Sequence, residues 1–151
     1  MSNSIDPIEL SRDLIRCESV TPADGGALSV LEKTLSSLGF TCHRLPFSAQ
    51  NTPDVDNLYA RYGSGAPNFC FAGHTDVVPV GDEGGWAIPP FEGRIEGDRL
   101  YGRGASDMKT AVAAFAVASQ RFLAERGDSF TGSISFLITG DEEGPAINGT
   151  K

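Results

Sequence analysis

The sequence is short of cysteine, of basic residues and of long apolar runs. Its three cysteines, Cys17, Cys42 and Cys70, are an odd number with neither close pairing nor metal-ligand spacing, which excludes a disulfide framework and a thiolate zinc site. Cys70 falls in an apolar strand pattern and Cys17 at the end of a helical one, so both read as small buried hydrophobes. Lys and Arg number 12 against 20 Asp and Glu, a formal net charge of −8. Phosphate backbones and anionic lipids repel such a chain, so neither a nucleic acid nor a membrane surface is an expected partner. Acidity of this size is also ordinary among soluble enzymes, and clustered metal ligands are a second source of it. No apolar stretch reaches the ~18 residues of a membrane span. Residues Met1 to Asp6 carry neither a basic region nor an apolar core, so no signal peptide is expected and the cytoplasm is the expected compartment.

What remains is a chain of 151 residues, 40% of them hydrophobic, which suits one domain with a real core. Asp6 followed by Pro7 and Glu9 reads as a capped helix start, with Leu10, Leu14 and Ile15 on its apolar face. Leu28, Leu31, Leu35 and Leu38 stripe a second helix that Gly39 ends. Strands are expected at 41–45, 57–62, 68–73 and 133–139, and a helix from Asp107 to about Arg126. Residues 93–101 read as a hairpin turning at Glu96-Gly97-Asp98. The stretch from Val77 to Pro90 is a long loop in which Trp86 either shields a site or packs the loop itself. His43 is expected to point to solvent. Strands alternating with helices predict an α/β fold: a three-layer αβα domain with a mostly parallel central sheet. The last residues show no terminal element, so the fold is expected to be incomplete at the C-terminus.

Three stretches carry chemistry. The apolar run from Phe69 stops at Gly73 and delivers His74 and Asp76; the glycine-rich turn from Tyr101 ends on Asp107; the run from Phe136 ends on Asp141, Glu142 and Glu143. In an open parallel sheet, ligands bind beyond the carboxyl ends of the strands, so these groups are expected on one rim. Imidazole and carboxylates together suit zinc, and two close metals need a bridging carboxylate, for which Asp107 is the candidate. Asp76 is placed to orient His74. One of the adjacent glutamates is free to bind metal while its neighbour moves a proton. Asp141-Glu142-Glu143 alone would read as a solvated acidic turn; His74, Asp76 and Asp107 at matching rim positions favour the metal site. A dinucleotide-binding reading fails, because Gly102-Arg103-Gly104 lacks the third glycine of that fingerprint.

Residues 73–79, 100–109 and 139–144 resemble the three signatures of the M20 family of dimetal amidohydrolases and peptidases. The resemblance runs over almost the whole chain, and it implies a zinc-exopeptidase-like fold in which His74 binds one metal, Asp107 bridges both and Glu143 binds the second. It implies that Glu142 is the general base and acid, that Asp76 orients His74, and that two Zn2+, or Co2+, complete the site. The flanking stretches, above all 144–150, imply hydrolysis of a small succinylated diamino acid by a homodimeric full-length enzyme. Where the family has glycine after its Asp-Met-Lys triplet, this chain has Thr110. The family's lid domain and its later ligands have no counterpart after Glu143, so residues 1–151 are expected to form the N-terminal portion of the catalytic domain. Another deacylase of the same family and a non-catalytic, metal-poor binding fragment are the rival readings.

Overall fold

The computed structural model describes residues 4–151; Met1 to Asn3, on which the leader reading partly rests, lie outside the described residues. Helix α1 spans Pro7–Arg16, and the Asp6 side chain accepts from the backbone N–H groups of Ile8 and Glu9, as its position before Pro7 predicts. Helix α2 spans Ala27–Ser37 and ends before Gly39, whose φ of 89° is the left-handed conformation expected of a stop. Strands β1 (Thr41–Arg44), β2 (Leu58–Tyr62) and β3 (Asn68–His74) follow. The hairpin β4 (Arg94–Glu96) and β5 (Arg99–Tyr101) turns at Gly97-Asp98. Helix α3 (Thr110–Arg126) and strand β6 (Ser133–Thr139) complete the chain.

The α/β class is the one the sequence predicts, but the sheet is mixed rather than mostly parallel. Its order is β1-β2-β6-β3. β1 with β2 and β2 with β6 are antiparallel, and β3 with β6 is parallel. The connections explain the difference. Residues 45–57 join β1 to β2 without a helix, which suits antiparallel neighbours, whereas β3 reaches β6 through the crossover helix α3, as a parallel pair requires. β6 is thereby inserted between β2 and β3.

That insertion corrects a second expectation. The run from Phe69 does not form a buried strand: among the described residues β3 is a sheet edge, Phe69 is 64% exposed, and Cys70 is an exposed free thiol rather than a core residue. Periodicity reads apolar content, and it does not see which strand takes the middle. All three cysteines are free, as their spacing predicts, and His43 is exposed.

The core is one apolar cluster. Leu10 and Leu14 of α1, the leucines of α2 and Val112, Ala113 and Ala116 of α3 pack on Leu58, Ala60, Ile134, Phe136 and Ile138, so all three helices press on the same sheet face. Phe136 is fully buried, with ring centroids 4.8 Å from Phe115 and 5.4 Å from Phe40, joining α3 to the segment between α2 and β1. Trp86 packs its own loop: the indole N–H donates to the Val80 carbonyl at 3.0 Å, and the Arg103 guanidinium lies 5.2 Å above the ring.

Because Phe136 touches the rings of Phe40, Phe71 and Phe115, Phe136→Ala is expected to destabilise the protein by about 3–5 kcal/mol. A urea midpoint within error of wild type would contradict that placement of the core.

Candidate metal centre

The parallel pairing of β3 with β6 brings the chemistry together. In their register His74 lies opposite Thr139, so both strands end at one rim. Two residues beyond β3 lies Asp76, and three beyond β6 lies Glu142. The Thr75 N–H donates to the Thr139 carbonyl at 3.1 Å, which continues the ladder past His74.

Asp76 is 1% exposed, and its two carboxylate oxygens accept separately from the backbone N–H groups of Glu142 at 3.2 Å and Glu143 at 2.9 Å. The same carboxylate comes within 3.4 Å of His74 Nδ1, and the Asp76 carbonyl lies 3.1 Å from that nitrogen. A carbonyl oxygen only accepts, so Nδ1 carries the proton and Nε2 turns to the other side. Nε2 faces acids: Asp107 Oδ1 lies at 3.1 Å and Glu142 Oε2 at 3.6 Å. Ligand atoms of His74, Glu142 and Glu143 all lie within 4.8 Å of one another. Every site residue predicted from the sequence therefore meets in one place, with Asp76 beneath and Asp107, Glu142 and Glu143 around Nε2.

Asp107 reaches the rim from an irregular turn, residues 105–109, in which Asp107 and Met108 leave helical geometry before α3 begins. Gly104 opens that turn at φ 82°, where a Cβ would come 2.8 Å from Val77 and 3.0 Å from the Lys109 chain. Lys109, to which the sequence reading gave no role, is fully buried and donates from Nζ to the Cys17 carbonyl at 2.8 Å, fastening the turn to the end of α1. Burial lowers its pKa to about 8.

Electrostatically the rim is a cation trap. Burial alone would lower the His74 pKa, but hydrogen bonds and charge from Asp76, together with the Glu142 charge, outweigh it and raise the pKa to about 9. The Glu143 carboxyl is pushed up by burial and by repulsion from Asp107 and Glu142. The site opens on a cavity of about 400 Å³ lined by His74, Asp107, Glu142, Thr139, Gly149 and Thr150, among others. A second cavity of about 460 Å³, against Phe69, Phe115, Phe122 and Phe130, is apolar and holds none of this chemistry.

With one imidazole, several carboxylates at one rim and a fold that places them at adjacent strand ends, comparison with known proteins is specific. The description "Peptidase family M20/M25/M40" matches residues 70–151, more than half the chain. The chain belongs to this peptidase family. Among curated proteins it is 64% identical over 146 residues to the succinyl-diaminopimelate desuccinylase of Parvibaculum lavamentivorans, covering 97% of this chain and 36% of that protein. It is 65% identical over 146 residues to the enzyme of the same name from Rhodospirillum centenum, covering 97% of this chain and 38% of the relative. The chain thus spans little more than a third of the length of these relatives. Among solved structures, human carnosine dipeptidase 1 matches with a TM-score of 0.79 at 29% identity, over 94% of this chain and 33% of that one. An M20 family metallo-carboxypeptidase from Sulfolobus solfataricus matches with a TM-score of 0.80 at 25% identity, over 95% and 32%.

In protein stripped of metal by chelation, the His74 ring is expected to titrate near pH 9 rather than at its ordinary value of about 6.5. Because the folded-state pKa is the higher one, this charge stabilises the fold fully below about pH 6.5, and the contribution is lost as pH rises through about 9. Proton NMR of the ring C–H signals reads the midpoint; a value at or below the ordinary one would contradict the arrangement.

Proposed function

We propose that the protein of which residues 1–151 are part is a metal-dependent amidohydrolase that cleaves N-succinyl-LL-2,6-diaminopimelate to succinate and LL-2,6-diaminopimelate. The observation that carries this reading is the convergence of Asp107, Glu142 and Glu143 on the Nε2 side of His74. The names of relatives at 64% and 65% identity supply the substrate.

The donor set fits a pair of zinc or cobalt ions. The described cluster offers one imidazole nitrogen and carboxylate oxygens, the ligands zinc accepts, and its acids repel one another until a cation is present. In this reading His74, through Nε2, Asp107 and Glu143 would hold the metals. When bound, the metals supply Lewis-acid polarisation of the amide carbonyl and acidify the attacking water. The chain's own residues do the rest. Asp76 keeps the proton on His74 Nδ1, so that Nε2 remains a donor to metal. Its bonds to two successive backbone amides fix where the side chains of Glu142 and Glu143 start. Glu142 takes a proton from the water as its oxygen bonds to the amide carbon, then returns it to the departing amine nitrogen as the C–N bond breaks.

Residues 1–151 are read as the N-terminal portion of the catalytic domain, with the lid and remaining ligands elsewhere in the longer protein. Two features support this. Three ligands shared between two metals leave each about two, short of the three usual at a catalytic zinc. The bare β3 edge with Phe69 64% exposed is also an open end of a sheet that a larger domain would continue. Homodimeric assembly carries over from the family resemblance, and cytoplasmic location is the reading of the sequence.

The decisive assay gives the full-length protein succinyl- and acetyl-amino-acid substrates in parallel. Hydrolysis of the succinyl substrate, abolished by chelation and restored by zinc or cobalt, is the expected outcome; preference for an acetyl substrate would move the protein to another deacylase. Glu142→Gln is expected to lower kcat by about 10²–10⁴-fold while metal content stays at the wild-type level. Residues 1–151 produced alone are expected to be inactive and to bind zinc below stoichiometry, and robust turnover by that piece would overturn the domain assignment.

A further inference from the structure

Asp141 begins the acidic run, yet the proposed chemistry leaves it without a task. It is only 3% exposed, and its side chain turns away from the rim. Oδ2 accepts from the Asn148 backbone N–H at 2.8 Å; Oδ1 accepts from the Thr150 N–H at 3.0 Å and lies 3.5 Å from the Thr150 hydroxyl. One carboxylate therefore closes the loop from 142 to 150 back onto the end of β6.

Two asparagines fasten the same loop from behind. The Asn57 side-chain amide donates to the Asn148 carbonyl at 2.9 Å and accepts from the Gly140 N–H at 3.1 Å. The Asn148 amide in turn donates to the Thr52 hydroxyl and the Pro53 carbonyl, each at 2.7 Å. Packing here leaves no slack: a Cβ on Gly149 would overlap Asp141 Oδ1 and come 2.6 Å from Asn57 Oδ1. What this clamp holds is the wall of the active cavity. Gly149 and Thr150 line the same 400 Å³ space as His74 and Glu142, and Thr150 Oγ1 sits 3.2 Å from Thr139 Oγ1.

We infer that Asp141 is a positioning residue that sets the Gly149–Thr150 wall against which the substrate lies, without touching the metal ligands. The inference rests on the hydrolase reading given above. The separation from the metal cluster follows from the hydrogen bonds. Glu142 and Glu143 hang from Asp76, whereas Asn148 and Thr150 hang from Asp141. A wall that contacts the substrate alike in ground state and transition state contributes uniform binding, so its loss appears in KM and spares kcat.

The test uses the metal-loaded, full-length protein carrying Asp141→Asn, which puts an NH2 group where a backbone N–H needs an acceptor. Metal content at the wild-type level, KM about tenfold higher and kcat within about twofold of wild type are expected. Residue-resolved amide exchange should show Asn148 and Thr150 losing protection while Glu142 and Glu143 keep theirs. Wild-type KM, or metal lost together with kcat, overturns the inference. Should Asp141→Asn fail to fold, exchange in the wild-type protein decides: Asn148 and Thr150 amides as protected as that of Glu143 support the clamp, and amides as fast as exposed loop overturn it. A wild-type protein that hydrolyses no N-acyl amino acid with any divalent metal defeats the functional reading instead, and the exchange result then judges the clamp by itself.

Discussion

Asp76 lies under the site and ties His74 to the backbone of Glu142 and Glu143. Its carboxylate is out of water, so it needs donors, and it finds them in two consecutive backbone amides after β6 and in the protonated nitrogen of His74 at the end of β3. Hydrogen bonds to a charged acceptor contribute about 1.5–3 kcal/mol each, whereas a buried carboxylate left without them would cost more than the pairing of two short strands returns. The carboxylate and the strand pair thus require each other. Asp76 is satisfied only when β3 and β6 run parallel with His74 opposite Thr139, and that register places the histidine and both glutamates at one rim.

The same arrangement couples protons to cations. His74 is held charged chiefly by Asp76, with Glu142 adding to it, so a metal arriving at Nε2 would have to displace a proton held well above the ordinary imidazole range. Asp107, whose side chain is 71% exposed, can adjust to an incoming ion, while His74 at 5% is fixed by what lies beneath it. One rigid nitrogen and several adjustable oxygens make a site that a cation completes without remaking the fold.

Much of this was legible in the sequence because the chemistry sits at breaks in periodicity. His74 and Asp76 follow an apolar run that ends at Gly73, and the Asp6-Pro7 start of α1 carries its own capping logic. The residues that escaped are those whose meaning depends on distant partners. Strand order is one case: the run from Phe69 is as apolar as a central strand, and only the insertion of β6 beside β2 leaves it at the edge. Lys109 is another, since a lysine two residues from an aspartate gives no hint that its ammonium ends on the Cys17 carbonyl 92 positions away. Asp141 is the plainest case. On paper it is one more acid beside Glu142 and Glu143, and the turn after Gly140 sends it inward while they face the rim.

That turn divides the work between two buried carboxylates that never meet. Asp76 comes from the end of β3 and fixes the start of the acidic loop; Asp141 comes from the end of β6 and fixes its return. The start of the acidic loop, at Glu142 and Glu143, and its return, at Asn148 and Thr150, are therefore held by separate sets of hydrogen bonds on a shared pair of strands. Between the anchors Pro145 and Ile147 are exposed, whereas a Cβ on Gly144 would come 2.8 Å from Thr21 Oγ1. Substitution at the exposed positions can change what lies across from His74 and the glutamates while those stay in place. In a family whose solved members include a dipeptidase and a carboxypeptidase on the same framework, that separation is a physical route by which specificity changes while the metal chemistry is retained.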